Sequence, residues 1–150
     1  MDAIDRKILA ELERDGRLSV TDLAARVGLS LSPCHRRVRE LERTGVIQGY
    51  RAIVDPAAVG LGFEVLVLVT MRQEDRATIA DFEREVAGVP NVVVAQRLFG
   101  DPDYLLRVVC EDAADYQRLH DARLATLPGV GRFNSTFIMK RIVQDRPLLG

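Results

Sequence analysis

Three arginines lie close together in a short segment that contains no acidic residue. Residues 34–39 read Cys-His-Arg-Arg-Val-Arg. Guanidinium groups pair with phosphates and with the O6/N7 edge of guanine, and an α-helix fits the major groove of duplex DNA. Two serines precede the arginines, where the free N–H groups of a helix start bind phosphates. The predicted DNA-binding residues are Ser30, Ser32, Pro33, His35, Arg36, Arg37 and Arg39.

The elements around these residues decide between DNA binding and a merely solvated helix face. Apolar residues at helical spacing predict a first helix over residues 2–15. Ser19 is placed to cap a second helix that Gly28 ends, and a third helix begins at Ser30 or Ser32. A solvated face, with the arginines paired to acidic residues along the helix, is the alternative. Three short helices with a glycine-containing turn are typical of a helix-turn-helix and favour DNA binding.

The rest of the chain has strand-like apolar runs. Residues 46–54 are β-branched and predict a strand, either a wing or a hinge. After residue 61 the patterns predict the order strand, helix, strand, strand, helix, strand, with the last strand at 132–143. Two β-α-β halves indicate a ferredoxin-like sheet with both helices on one face. Because the strands are apolar on both faces, we expect a second copy to cover the open face as a sheet-on-sheet homodimer.

The composition hides the basic helix. The 150 residues are 47% hydrophobic and 29% charged, which is typical of a folded globular protein, and the net charge is -1. Residues 1–50 sum to +1 and residues 51–150 to -2. The acidic start and the absence of a long apolar run predict a soluble, cytoplasmic protein without membrane contact. Cys34 and Cys110 are far apart and lack neighbouring ligands, so no disulfide, metal site or cofactor is predicted.

The motifs resemble one known family along essentially the whole chain. The front segment is similar to the DNA-binding half of the Lrp/AsnC (feast/famine) transcriptional regulators of prokaryotes. The residues that carry this similarity are Ile4-Asp5, Gly28-Leu29-Ser30, Ser32-Pro33-Cys34, Arg37-Val38, Leu41-Glu42 and Gly45-Val46-Ile47. Two later segments resemble the effector-domain signatures of that family, namely Gly100-Asp101-Pro102-Asp103-Tyr104-Leu105-Leu106 and Leu127-Pro128-Gly129-Val130.

This resemblance implies an α+β fold, with an N-terminal winged helix-turn-helix followed by a ferredoxin-like βαββαβ αβ-sandwich. The implied domains are a DNA-binding domain at 1–49, a hinge strand and linker at 50–61, a ligand-sensing and oligomerisation domain at 62–144 and a tail at 145–150. Dimers would assemble further, often into octamers associated with the nucleoid. An amino-acid effector would sit between dimers, against Gly100, Asp101, Asp103, Tyr104 and Thr136.

The residues themselves are compatible with such an effector site. Aspartates pair with an α-ammonium group, and turn N–H groups receive a carboxylate. Without the family, the same loop is better explained as a plain hairpin turn whose Asp and Pro residues suit its geometry.

The predicted function is a sequence-specific DNA-binding regulator that responds to an amino acid or a related metabolite. Neither His35 nor His120 has the partners that catalysis needs, so no enzyme activity is predicted. The alternatives are a small enzyme on a dimeric ferredoxin-like barrel and a metabolite-sensing interaction module that does not bind DNA.

Overall fold

The chain folds into two compact units. The computed structural model describes residues 1–143 and 146–149. One unit comprises Met1–Ile53 with Ile142–Gly150, and the other is Val54–Arg141. The division at residue 53 falls inside the predicted linker at 50–61. The predicted border at 144/145 and the last residue of the predicted tail at 145–150 lie outside the described residues.

The first unit contains the three predicted helices, α1 (Ala3–Arg14), α2 (Val20–Val27) and α3 (Leu31–Arg43). The side chain of Ser19 caps α2 as predicted, because it accepts the N–H of Asp22. Fully or almost fully buried apolar side chains from all three helices form the core of this unit, including Ile8, Leu23 and Cys34. The helix-turn-helix prediction is confirmed.

The prediction of a strand at residues 46–54 is wrong. All of these residues are described, and none of them belongs to a strand. Ile53 and Val54 are 71% and 56% exposed. A strand requires a neighbouring strand for its backbone hydrogen bonds, and no strand among the described residues pairs with this segment. Its β-branched composition alone produced the prediction.

The second unit has the predicted order of elements. They are β1 (Phe63–Met71), α4 (Arg76–Ala87), β2 (Val92–Arg97), β3 (Tyr104–Cys110), α5 (Ala113–Leu119) and β4 (Val130–Phe137). A short 3₁₀ turn precedes β1, and α5 continues into one π-helical turn. The antiparallel sheet has the order β2-β3-β1-β4, which confirms the ferredoxin-like fold. The last strand ends at Phe137, so the predicted extension to residue 143 is wrong.

The two sheet faces differ in what covers them. On one face Val65, Val67 and Val69 are at most 2% exposed and pack in a core with Phe82 of α4. On the other face Leu66, Leu68 and Leu105 are only half-buried. This second face carries half-buried leucines beside polar residues, since Arg107 and Thr136 lie opposite Leu66, and its own unit covers it only in part.

No helix among the described residues is both long and apolar enough to span a membrane.

Candidate functional sites

The third helix carries a basic stripe on the side opposite its core contacts. Cys34, Val38 and Leu41 are its buried residues. Successive residues of an α-helix are rotated by about 100° about its axis. Four further positions of α3 therefore fall within an arc of about 60° about that axis, on the side away from the core. This set, which we name the basic stripe, is Ser32, Arg36, Arg39 and Arg43, and all four are exposed.

The arginines of the basic stripe differ in their ion pairs. Arg43 pairs with Glu40 through two hydrogen bonds of 2.8 and 2.6 Å, from Nε and Nη2. Arg39 lies 3.6 Å from a carboxylate oxygen of Glu42, and its side chain is 71% exposed. Arg36 makes no ion pair with any residue that the structure describes. It is therefore the guanidinium most available to a ligand. Arg43 was not among the predicted site residues, although its helical spacing from Arg36 and Arg39 could have found it.

Arg37 points elsewhere. Its Nη1 donates to Oδ2 of Asp2 and to Oδ1 of Asp5, both at 2.8 Å. These hydrogen bonds, with Asp5 contributing most, raise the pKa of the Arg37 guanidinium. The side chain is only 31% exposed. The sequence predicts that Arg36 and Arg37, about 100° apart on the helix, have different roles, and the structure shows Arg37 held by Asp2 and Asp5 on a side away from the basic stripe.

The remaining predicted residues lie at the N-terminal end of α3. Ser30 is the N-cap residue, but its side chain makes no capping hydrogen bond. Pro33 occupies the first turn and is half-buried, while His35 is exposed beside the basic stripe. This end of α3 thus presents a serine hydroxyl and first-turn N–H groups, which is the arrangement that accepts a phosphate oxygen.

The predicted effector loop joins β2 to β3. Gly100 has a φ of +139°, a conformation that favours glycine. The carboxylate of Asp103 accepts the Met71 N–H at 2.7 Å, and its own N–H donates to the Val69 carbonyl at 2.9 Å. Asp103 therefore holds the loop against the end of β1. Asp101 is exposed, and its carboxylate is the one that faces solvent.

Tyr104 anchors the other end of this loop. It is 3% exposed, its ring centroid lies 4.5 Å from that of Phe82, and its hydroxyl donates to Glu83 at 2.9 Å. Burial, reinforced by the Glu83 carboxylate, raises the pKa of Tyr104 to about 12. Tyr104 is thus a buried support of the loop, and its hydroxyl is already engaged.

Thr136 does not join the loop within one chain. It pairs with Leu66 across β1 and β4, whereas Tyr104 pairs with Val69 across β1 and β3. Strand β1 therefore separates the two, and their register differs along it. The described residues also contain no cluster of His, Cys, Asp or Glu that could hold a metal ion.

Comparison with protein families identifies both units. A family described as the Lrp/AsnC ligand binding domain matches residues 64–148, and one described as winged helix-turn-helix DNA-binding matches residues 1–48. The predicted resemblance is confirmed by these matches.

Individual relatives agree with the family assignment. A Bkd operon transcriptional regulator of Pseudomonas aeruginosa is 42% identical over 143 residues, covering 95% of this chain and 94% of the relative. The leucine-responsive regulatory protein of Escherichia coli is 37% identical over 149 residues, covering 99% and 91%.

Solved structures agree as well. A transcriptional regulator of Neisseria meningitidis in complex with L-methionine has a TM-score of 0.93 at 33% identity and covers 99% of this chain and 96% of that one. A feast or famine regulatory protein of M. tuberculosis complexed with L-methionine has a TM-score of 0.89 at 34% identity, covering 99% of each chain.

Proposed function

We infer that this chain, which belongs to the Lrp/AsnC family of transcriptional regulators, binds duplex DNA through the basic stripe of α3 and responds to an amino acid or a related small metabolite. One observation carries the DNA-binding part. The helix that the sequence marks as basic presents Arg36 and Arg39 on the side opposite its buried residues, with the serines and free N–H groups at its start. An exposed basic helix of this kind fits the major groove.

The proposed role of each residue in DNA binding follows from the exposure of its side chain and from its ion pairs. Arg36 and Arg39 provide contacts to guanine edges or phosphates, because their guanidinium groups are exposed. Ser30 and Ser32 contact phosphates, with Pro33 shaping the first turn and His35 at the border of the interface. Arg37 is taken out of the set of direct contacts because two carboxylates already hold it.

The proposed effector site comprises Gly100, Asp101, Asp103, Tyr104 and Thr136. Two structural relatives were solved with L-methionine, and several sequence relatives are named leucine-responsive regulatory proteins, which supports an amino-acid ligand. The exposed Asp101 is suited to pair with the ammonium group. Since β1 separates Thr136 from the loop in one chain, we place the site between copies, where the loop of one meets β4 of another.

The proposed assembly is a homodimer that builds higher oligomers such as octamers. The half-buried apolar face of Leu66, Leu68 and Leu105 supports a sheet-on-sheet contact. A dimer would space two α3 helices for two DNA half-sites. We further propose a cytoplasmic, nucleoid-associated protein without a catalytic role, because its relatives are regulators of transcription.

Fluorescence anisotropy with a labelled duplex from the chain's own upstream region tests this function. We expect tight binding by the wild type and a change of Kd when L-methionine or L-leucine is added. The Asp101→Asn variant should bind the same duplex equally well and lose the response. Failure to bind any upstream duplex contradicts the DNA-binding role. If neither the Kd nor the oligomeric state changes on addition of any amino acid, the sensor role is contradicted.

A further inference from the structure

We propose that Arg37 is a positioning residue of the DNA-reading helix and that Asp2 and Asp5 are its partners in that task. The three side chains form an ionic contact between α3 and the N-terminus of α1, which we name the N-terminal clamp. The clamp fixes how α3 is rotated about its own axis and therefore where Arg36 and Arg39 point. This role rests on the proposed DNA-binding function of α3.

The acceptors of the N-terminal clamp are themselves fixed. Asp2 and Asp5 form a reciprocal capping box, in which Asp2 Oδ1 accepts the Asp5 N–H and Asp5 Oδ2 accepts the Asp2 N–H, both at 2.9 Å. Each carboxylate then uses its second oxygen for Nη1 of Arg37, at 2.8 Å in both cases. Every oxygen of the two carboxylates thus has a defined partner, so the guanidinium binds a preorganised site.

The N-terminal clamp differs in kind from the other ion pairs of α3. Arg43 with Glu40 and Arg39 with Glu42 join residues of the same helix, so they cannot orient that helix against a neighbour. Arg37 instead joins two helices through contacts of 2.8 Å, a length typical of charge-assisted hydrogen bonds. The Asp5 side chain is only 15% exposed, which limits screening by salt.

Rotation of α3 would be costly for DNA recognition. A side-chain tip about 6 Å from the helix axis moves by about 2 Å when the helix turns by about 20°. Hydrogen bonds to base edges do not tolerate a displacement of that size. Holding Arg37 in place therefore preserves the direction of the basic stripe, although Arg37 itself lies outside it.

A direct contact of Arg37 with DNA and a positioning role of Arg37 predict opposite changes in DNA affinity when Asp2 and Asp5 are neutralised. If Arg37 bound a phosphate, Asp2 and Asp5 would compete for it and repel the DNA backbone. Their replacement by asparagine would then tighten binding. If Arg37 positions α3, the same replacement weakens the clamp and weakens binding. The sign of this one effect separates the two roles.

The experiment measures Kd for the upstream duplex over a range of salt with the full-length chain. We expect Asp2→Asn/Asp5→Asn and Arg37→Ala each to raise Kd about fivefold at fixed salt with an unchanged salt slope, and their combination to add little more. Arg37→Lys should restore part of the affinity. The matched control is Arg26→Ala, which removes a 2.9 Å ion pair with Glu11 between α1 and α2 and should leave Kd unchanged.

Two results would overturn the positioning role: tighter binding by the double asparagine variant, or a slope lowered by Arg37→Ala as much as by Arg36→Ala. Circular dichroism at the assay temperature verifies that each variant is folded. A wild type that binds no upstream duplex overturns the proposed function and this role together. If the wild type binds the duplex and either of the two results is found, the role of Arg37 is overturned and the proposed function is not.

Discussion

Gly129 precedes β4, and replacing it by alanine should destabilise the second unit by more than its backbone conformation explains. Its φ is +73°, and a Cβ there would lie 2.2 Å from Cγ2 of Thr78 and 3.0 Å from Cε of Met71. The Thr78 methyl cannot simply turn away, because its hydroxyl donates to Asp75 at 2.6 Å. The Gly129 carbonyl also accepts the Arg72 N–H at 2.8 Å, so a shift of this backbone disturbs the end of β1.

The magnitude follows from two contributions. Forcing alanine into the left-handed region costs about 1 kcal/mol, and overpacking a filled site costs about 2 kcal/mol more. We therefore expect Gly129→Ala to lower the free energy of unfolding by about 3 kcal/mol. Gly60 is the matched control in the same unit, since its φ is +80° and a Cβ there would meet no atom within 4 Å. Gly60→Ala should cost about 1 kcal/mol.

Urea unfolding followed by tyrosine fluorescence measures both variants, because Tyr104 and Tyr116 lie in the second unit. The expected result is a lower midpoint for both variants with an unchanged dependence on urea, and a clearly larger loss for Gly129→Ala. Equal losses for the two variants would refute the steric reasoning. They would mean that the space around Gly129 relaxes without cost.

Two further predictions concern charged groups. The backbone N–H of Asp5 lowers the pKa of Asp2 below 3.8, so the stability that Asp2 contributes is present above about pH 4 and is lost as pH falls through the lowered pKa. Thermal unfolding across acid pH should show this loss in the wild type and a smaller one in Asp2→Asn, which keeps the helix cap; identical pH profiles would contradict it. Glu64 is 6% exposed and pairs with Arg107 and Arg141. Glu64→Gln should cost about 2 kcal/mol in chemical unfolding, and a neutral result would contradict a structural role for this ion cluster.

The helices were predictable because their signals are local. Ser19 caps α2 and Gly28 ends it in a left-handed conformation, as their positions in the sequence indicate. The N-cap residue, the apolar positions at helical spacing and the terminating glycine all lie within one short segment, so no distant residue needs to be known. The order of elements in the second unit was predictable for the same reason.

The errors arose where the outcome depends on residues far along the chain. Residues 46–54 have the composition of a strand, but a strand forms only where a neighbour pairs with it. Helical spacing already gives Arg37 a different direction from Arg36, but only the fold shows that Asp2 and Asp5 are its partners. The resemblance implies that Thr136 and the effector loop meet between dimers, and the order of strands within one chain leaves this a prediction.

The salt dependence of Kd for Arg36→Ala shows whether the basic stripe of α3 binds duplex DNA. A dimer that loses one phosphate contact at each half-site should have a salt slope smaller by about 1.8, so the ratio of mutant to wild-type Kd should fall about 12-fold over a fourfold rise in salt. We expect this result at a duplex that the wild type binds tightly. An unchanged Kd and an unchanged slope for both Arg36→Ala and Arg39→Ala would contradict it.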